Sequence, residues 1–531
     1  MKVPERFLGY AFSVGDVLLE LSGDFSIVNC DGAINSLLNQ SSEPLIGTNC
    51  LDLFVEADRT LIKQSCQTLT GDNRLGPIQV NLLKKGGGVE PMAIFLAQLP
   101  LNKNRIFMVM SKPYRLGITP TSQSSQPADV EETSRQRKDF VENLETLLED
   151  APEVADKLLV TVMETSDAAD LTPERAQQIE RYLNGFSIGG SHATRLEENK
   201  FALVHERTGA SPEMEAERLS RQVSEATGLE MLSATIDARS AGLSDQDRVK
   251  ALAHTLNKYA EGASGFGLEA IAEDPAALMA ETAGKVAHLR DILDKGAFAL
   301  VYQPIVDLQT NQIHHYEALS RFETTAGGPS TFETITFAEE VGMIADYDMA
   351  VLLRAIDKIR AMRKQMVAPQ IAINVSGRSL SNAHFMEEVA RLLGQGPDLI
   401  ESLSLEITES AKITDLDALA TQLAAIRGWG YKVYLDDFGA GVSGFQYLRA
   451  LQVDALKIDG QYIKDALDSE MDRAFLKAMV SLCRELRITT VGEWIETAAH
   501  AYLLKAIGID YGQGYYFGKP TPGMVGLKAA V

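Results

Sequence analysis

Cysteine is scarce in this sequence and shows no pairing. Cys30, Cys50, Cys66 and Cys483 share no paired spacing, which excludes a disulfide frame and a zinc ribbon and suits a reducing compartment. Positive charge is in deficit too. Fifty Lys and Arg stand against 73 Asp and Glu, a net charge of −23. That balance excludes a basic nucleic-acid surface, so no nucleic acid polymer is expected as a partner. An anionic ligand must be met by local cations or bound metal. No apolar run approaches the length of a membrane helix, so no membrane span is expected. The first residues carry Glu5 and Asp16 around a short, broken apolar run, which is unlike a signal peptide. A cytoplasmic protein is the expectation. Histidine is absent from residues 1–115, which excludes histidine-held haem there. A chain of 531 residues with 45% hydrophobic content is expected to form two to four globular domains.

What is present begins with a hairpin pattern over Asp16 to Asn29, two apolar runs flanking Ser22-Gly23-Asp24. Short helical stretches follow, with Ile34, Leu37 and Leu38 at helical spacing. Strands fit 78–84, 89–97 and 105–111, and Gly86-Gly87-Gly88 marks a turn. This order, with Pro44-Leu45-Ile46-Gly47 and Leu51-Asp52-Leu53-Phe54, resembles a PAS sensor domain over residues 1–115, an α+β fold whose ligand the sequence leaves open. Gly47-Thr48-Asn49-Cys50 is similar to the cysteine core of LOV photosensors. Leu51 and Phe54 stand near the places where that family has Arg and Gln, so Cys50 is read as a buried structural residue.

Residues 116–133 read as a flexible linker, centred on Thr119-Pro-Thr-Ser-Gln-Ser-Ser-Gln-Pro127. A helix from about Ser134 then places Phe140, Val141, Leu144, Leu147 and Leu148 on one face. The strands and helices of residues 134–285 resemble a GGDEF domain, the fold of diguanylate cyclases. The signature hairpin reads Glu197-Glu198-Asn199-Lys200-Phe201, where only Phe201 survives, and Met163-Glu164-Thr165 stands where a metal aspartate is usual. The resemblance implies a degenerate, non-catalytic α/β domain.

From residue 286 to 531, apolar strand-like runs recur and nearly every one meets a polar group. The groups are Gln303, Glu317 with Arg321, Asn374, Glu406 with Glu409, Asp436-Asp437, Lys457, Glu493 with Glu496, and Gln513. Helical segments separate most of these runs, giving eight strand-helix units over roughly 240 residues, the size of a TIM barrel. Active-site residues of such barrels sit at the C-terminal strand ends. Asp436 and Asp437 are expected where a strand runs out, so that both carboxylates converge on one site. Glu317, Asn374, Glu406, Asp436 and Asp437 are all oxygen donors, a set that selects Mg²⁺ or Mn²⁺. Two metals roughly 4 Å apart, bridged by the Asp pair, suit in-line displacement at phosphorus. Lys457 either orients the attacking water or neutralises developing charge, and Arg321 suits a bidentate phosphate contact. Asp459 lies two residues beyond Lys457, on the same strand face. His314 and His315 are read as packing or surface residues.

These motifs together, from Tyr302-Gln303-Pro304-Ile305 to Gln513-Gly514-Tyr515, resemble an EAL domain, the cyclic di-GMP phosphodiesterase. The resemblance implies hydrolysis of cyclic di-GMP to linear pGpG with two Mg²⁺ or Mn²⁺ ions, and a homodimer formed through this domain. It assigns metal ligation to Glu317, Asn374, Glu406, Asp436 and Asp437, the first and last of these also catalytic. Lys457 and Glu493 handle the water and second metal. Gln303, Arg321, Gln513 and Asp459 contact substrate, and Glu409 and Glu496 support the Asp-Asp loop. Two departures stand out. Ala440-Gly441-Val442-Ser443 replaces the usual Thr-Gly-Tyr-Ser, which keeps a silent receptor or a scaffold as the alternative to an enzyme. Trp494 replaces a glycine, and filling a void is preferred to stacking on a guanine.

Overall fold

The computed structural model describes residues 16–34, 43–67, 69, 74–84, 88–98, 105–112, 130–150, 157–166, 171–207, 211–237, 245–322, 329–364, 370–408, 416–438, 448 and 450–524. The expected turn at Gly86-Gly87, Leu37 and Leu38, most of the 116–133 linker, Glu409 and the loop 440–444 lie outside them. The chain divides into two compact units, Met1–Val286 and Ala287–Val531. Among the described residues no helix is long and apolar enough to cross a membrane.

The first unit holds two antiparallel sheets. Strands β1 (Val17–Ser22), β2 (Ile27–Gly32), β3 (Arg74–Leu83), β4 (Val89–Gln98) and β5 (Arg105–Ser111) form one, in the order β2-β1-β5-β4-β3. Strands β6 (Leu158–Thr165), β7 (Ala193–Glu197), β8 (Lys200–Glu206) and β9 (Met231–Asp237) form the other, in the order β7-β8-β6-β9. The helices Pro173–Phe186 and Pro212–Thr227 complete a β-α-β-β-α-β unit. Both helices begin with Pro in the first turn, behind a capping Thr172 or Ser211. One apolar cluster runs through both sheets, from Val17, Phe54 and Leu96 to Ile179, Phe201 and Leu219. Arg181 reaches across to the buried Asp58 at 2.7 Å. Gly190, at φ +72°, lies so close to Pro77 that a Cβ would overlap its ring. Cys50 is fully buried, and burial pushes its thiol up to about 12, as a structural cysteine requires.

The second unit is a closed barrel of eight strands in sequence order: β10 (Phe298–Asp307), β11 (Ile313–Phe322), β12 (Ile371–Val375), β13 (Leu403–Thr408), β14 (Lys432–Phe438), β15 (Ala455–Ile458), β16 (Thr489–Gly492) and β17 (Tyr511–Gln513). It departs from the eight repeated strand-helix units expected. β10 runs antiparallel to both neighbours, β11 and β17, while the remaining pairs are parallel. The reason is local. Asp307 Oδ1 accepts from the backbone N–H groups of Gln309 and Thr310 at 2.7 and 2.8 Å, folding a tight turn where a crossover helix was expected. Gln303 therefore sits mid-strand, directly opposite Glu317, and not at a strand's C-terminal end.

Candidate active site

Each barrel strand alternates its side chains between lumen and exterior, so one or two inward positions per strand decide what the lumen contains. Here they are polar and buried. Gln303, Glu317, Glu406, Asp436, Lys457, Glu493 and Gln513 are all below one-tenth exposed, which only pairing or a bound cation makes tolerable. The pairing centres on Lys457, 1% exposed. Its Nζ lies 2.9 Å from Glu406, 3.0 Å from Asp436, 2.9 Å from Glu493 and 3.5 Å from Glu317. An amide relay closes the other side. Gln513 Nε2 donates to Glu317 at 2.6 Å and to Gln303 at 3.2 Å, and Asn374 Nδ2 donates to Glu317 at 2.7 Å.

Asp436 and Asp437 converge by a different device from the one expected. The strand does not end before them. β14 continues to Phe438, and its pairing with β15 slips between Leu435 and Phe438, a bulge. Asp437 takes a left-handed backbone at φ +53°, a conformation aspartate tolerates better than most residues, and its N–H donates to Asp436 Oδ1 at 2.9 Å. Neighbours that a regular strand would send to opposite faces are thus turned together.

The electrostatics follow from crowding. Burial works against the charge of Lys457, but its carboxylate neighbours, Asp436 first, raise its pKa well above the ordinary lysine value. Burial alone would raise Glu317, yet Lys457 and the Gln513 and Asn374 amides hold it below the ordinary glutamate value. The other acids go the opposite way. Burial, reinforced by like charges, raises Glu406 well above its ordinary value and raises Asp436 despite the pull of Lys457. For the same reasons Asp437 is pushed up to about 6 and Glu493 to about 8. Five carboxylates around one ammonium cannot all ionise unaided.

Added cations would relieve this, and the residues fit them. Glu317, Glu406 and Asp436 offer ligand atoms within 4.8 Å of one another, as do Asp436, Asp437 and Glu493, so Asp436 is common to two potential metal sites. Asn374 Oδ1 and Glu406 Oε1 are buried without a hydrogen-bonding partner, as unfilled ligand positions would be. The donor set is all oxygen, the choice of hard divalent ions.

Other expected residues lie outside this cluster. Arg321 is exposed, its Nη1 donating to the Ser320 carbonyl at 2.7 Å. Asp459 caps the short helix Gly460–Lys464, accepting from the Gln461 N–H at 2.7 Å. Glu496 is exposed. His315 is buried against the Tyr434 ring, and His314, half-buried, packs on the Tyr511 ring. One supporting residue escaped the sequence reading. Asp348, 3% exposed, accepts from the Ser376 N–H at 2.7 Å, two residues beyond Asn374. Its signal is an acid inside the buried stripe Ile344, Tyr347, Val351, Leu352, Ala355 of one helix. A cavity of 590 Å³ lies elsewhere, at the N-terminal ends of β15 and β16 beside Arg427, Asp454 and Arg487. It lacks the cluster's converging acids, so the chemistry belongs to the lumen.

The second unit is similar to known proteins. A family model described as the EAL domain matches residues 286–520. The uncharacterized protein Rv1357c of Mycobacterium tuberculosis is 33% identical over 244 residues, covering 44% of this chain and 78% of that protein. The cyclic di-GMP phosphodiesterase PA2567 of Pseudomonas aeruginosa is 34% identical over 224 residues, 42% of this chain and 38% of that protein. Among solved structures, the FimX EAL domain of Xanthomonas citri in complex with c-di-GMP matches with a TM-score of 0.42 at 26% identity. It covers 46% of this chain and 95% of that one.

Proposed function

The chain belongs to the EAL-domain family, and from that premise we propose that its barrel hydrolyses cyclic di-GMP to linear pGpG. The observation that carries this reading is the complete oxygen-donor set gathered around a buried lysine. If all five carboxylates and Lys457 are ionised, the cluster carries four excess negative charges, the number that two Mg²⁺ or Mn²⁺ ions would balance. Glu317, Asn374, Glu406, Asp436 and Asp437 would hold them, with Glu493 completing the set around Asp437. Such ions would polarise the phosphoryl oxygens and acidify a water.

The chain's own residues do the rest. Water adds to one phosphorus, the P–O3′ bond breaks, and the freed 3′ oxygen takes a proton, giving linear pGpG. Lys457, surrounded by four carboxylates, acts as a fixed cationic donor, either holding the water or offsetting charge that builds on the phosphoryl group. Gln513 and Asn374 keep Glu317 oriented. Gln303 lines the lumen as an amide donor for substrate and Gln513 as an acceptor through its Oε1, with Arg321 and Asp459 reaching substrate from outside the cluster.

We also propose that residues 1–115 are a PAS-like sensor and 134–285 a silent GGDEF-like domain. The β2-β1-β5-β4-β3 order supports the first. For the second, Lys200 Nζ donates to the Tyr259 carbonyl at 2.6 Å, and Tyr259 Oη donates to Glu164 at 3.1 Å, spending on internal contacts the residues a nucleotide site would need. A homodimer through the barrel completes the proposal, and a monomeric mass by light scattering would contradict it. The deciding experiment is turnover of cyclic di-GMP by the purified full chain with Mg²⁺, Mn²⁺ or chelator. Metal-dependent pGpG supports the enzyme. Tight binding without product makes the barrel a receptor, and no binding at all makes it a scaffold.

A further inference from the structure

Trp494 is not a void filler. Trp494 is 65% exposed, although Glu493 and Ile495 on either side are 8% and 0% exposed. Its backbone is left-handed at φ +53°, a conformation natural for glycine and an outlier for a bulky residue. The fold thus carries both a strained backbone and a largely uncovered aromatic ring at one position, with packing confined to the base of the side chain. Strain of this kind collects where a ligand is held.

The base of the side chain is fixed. It crosses the Asp459–Gly460 turn so closely that a Cβ on Gly460 would overlap Cβ, Cγ and Cδ1 of Trp494. Ile495 N–H donates to the Gln513 carbonyl at 2.9 Å, and Tyr516 N–H donates to the Ile495 carbonyl at 3.0 Å. The loop is therefore tied to the same strand end that presents Gln513 to Glu317. Nearby Tyr515 is exposed too, but its ring already faces the Lys519 ammonium at 4.9 Å. Trp494 offers a flat π face, held one residue from Glu493, whose carboxylate lies 2.9 Å from Lys457.

We propose that Trp494 is a stacking platform for one guanine of cyclic di-GMP, and that it holds the dinucleotide with a phosphodiester at the carboxylate cluster. The proposal rests on the phosphodiesterase reading and adds to it a specificity residue at a position where the family usually has glycine. A purine supplies the flat partner that an exposed indole stacks on. Phosphate alone would gain nothing from it.

Trp494→Gly suits a backbone at φ +53°, so it removes the ring without threatening the fold. Assayed as the full chain with cyclic di-GMP and Mg²⁺, it is expected to raise KM about tenfold, equivalent to about 1.4 kcal/mol, with most of the loss in KM and not in kcat. Trp494→Tyr is expected to recover most of that loss. In a Trp429→Phe background Trp494 is the sole tryptophan, since the chain has two, and cyclic di-GMP should quench its fluorescence in chelator. A wild-type KM for Trp494→Gly, or an unquenched indole in protein that binds the dinucleotide, overturns the stacking proposal alone. A wild-type chain that neither binds nor hydrolyses cyclic di-GMP overturns the phosphodiesterase reading, and the platform falls with it.

Discussion

Replacing Lys457 by methionine keeps the length of the side chain and removes the ammonium that four carboxylates share within 3.5 Å. The acids left behind are buried and must take up protons to remain so. Protonating one carboxylate of ordinary pKa costs about 1.4 kcal/mol per pH unit above that value, hence ~5 kcal/mol at pH 8 and ~1 kcal/mol at pH 5. The folded state of the variant binds more protons than the unfolded state, so its stability falls as pH rises. At pH 8 in chelator the loss should be ~3–5 kcal/mol, the range for breaking a buried pair. With a denaturant slope of ~3 kcal/mol per M urea, that is a midpoint shift of ~1–1.7 M. Trp429 and Trp494, the chain's two tryptophans, both lie in the second unit, so tryptophan fluorescence excited at wavelengths that spare tyrosine reports this unit and not the first. The shift should shrink towards pH 5, and Mg²⁺ should restore part of it at pH 8. A variant as stable as wild type at pH 8 in chelator would refute the reasoning, because the acids would then not depend on Lys457.

Glu317→Ala should abolish turnover, by at least a thousandfold, with the far-UV circular dichroism unchanged; full activity would mean that the site is misassigned. Metal affinity should rise from pH 6 to pH 8, because Asp437 at about 6 and Glu493 at about 8 must lose protons to the solvent. Calorimetric titration in two buffers of different ionisation enthalpy measures that release, and no difference between buffers would contradict it. Burial pushes Asp348 up to about 7 from 3.8, so its contribution to stability is present below about pH 4 and lost as pH rises through 7. Asp348→Asn should therefore gain on wild type by ~2 kcal/mol or more between pH 5 and pH 8, within the linkage limit of its shift; parallel unfolding curves at the two pH values would refute this.

Much of the site was legible because chemistry and position coincide in sequence. Asn374, Glu406, Asp436 and Lys457 each follow an apolar run, Glu317 follows His314-His315-Tyr316, and period-two alternation carries them into one lumen. What was not legible is three-dimensional. A strand reads alike in either direction, so the apolar run of β10 is silent on its reversal; the local clue is the Asp307 turn, which is too short for a crossover helix. The bulge at Asp437 hides because a register slip leaves no mark on composition. Trp494 was misjudged because large aromatics are usually buried, and its left-handed backbone is invisible in a list of residues. The apolar cluster shared by the two sheets of the first unit could not be read from two separately patterned segments.

The reversed first strand also sets an order of events during synthesis. β10 finds β11 at once, across a tight turn, but its other neighbour is β17, and Gln303 meets Gln513 across 210 positions of chain. At ~5–20 residues per second a ribosome needs ~10–40 s to cover that distance. Throughout that interval one edge of β10 has no partner, the condition under which strands pair wrongly with other chains. Closure then joins three residue pairs of β10 and β17, Ile305 to Asp307 with Tyr511 to Gln513, and a bridge from Tyr302 to Thr521. The amide that orients Glu317 arrives on the last strand, so the nascent chain can hold no finished catalytic centre until the barrel has shut.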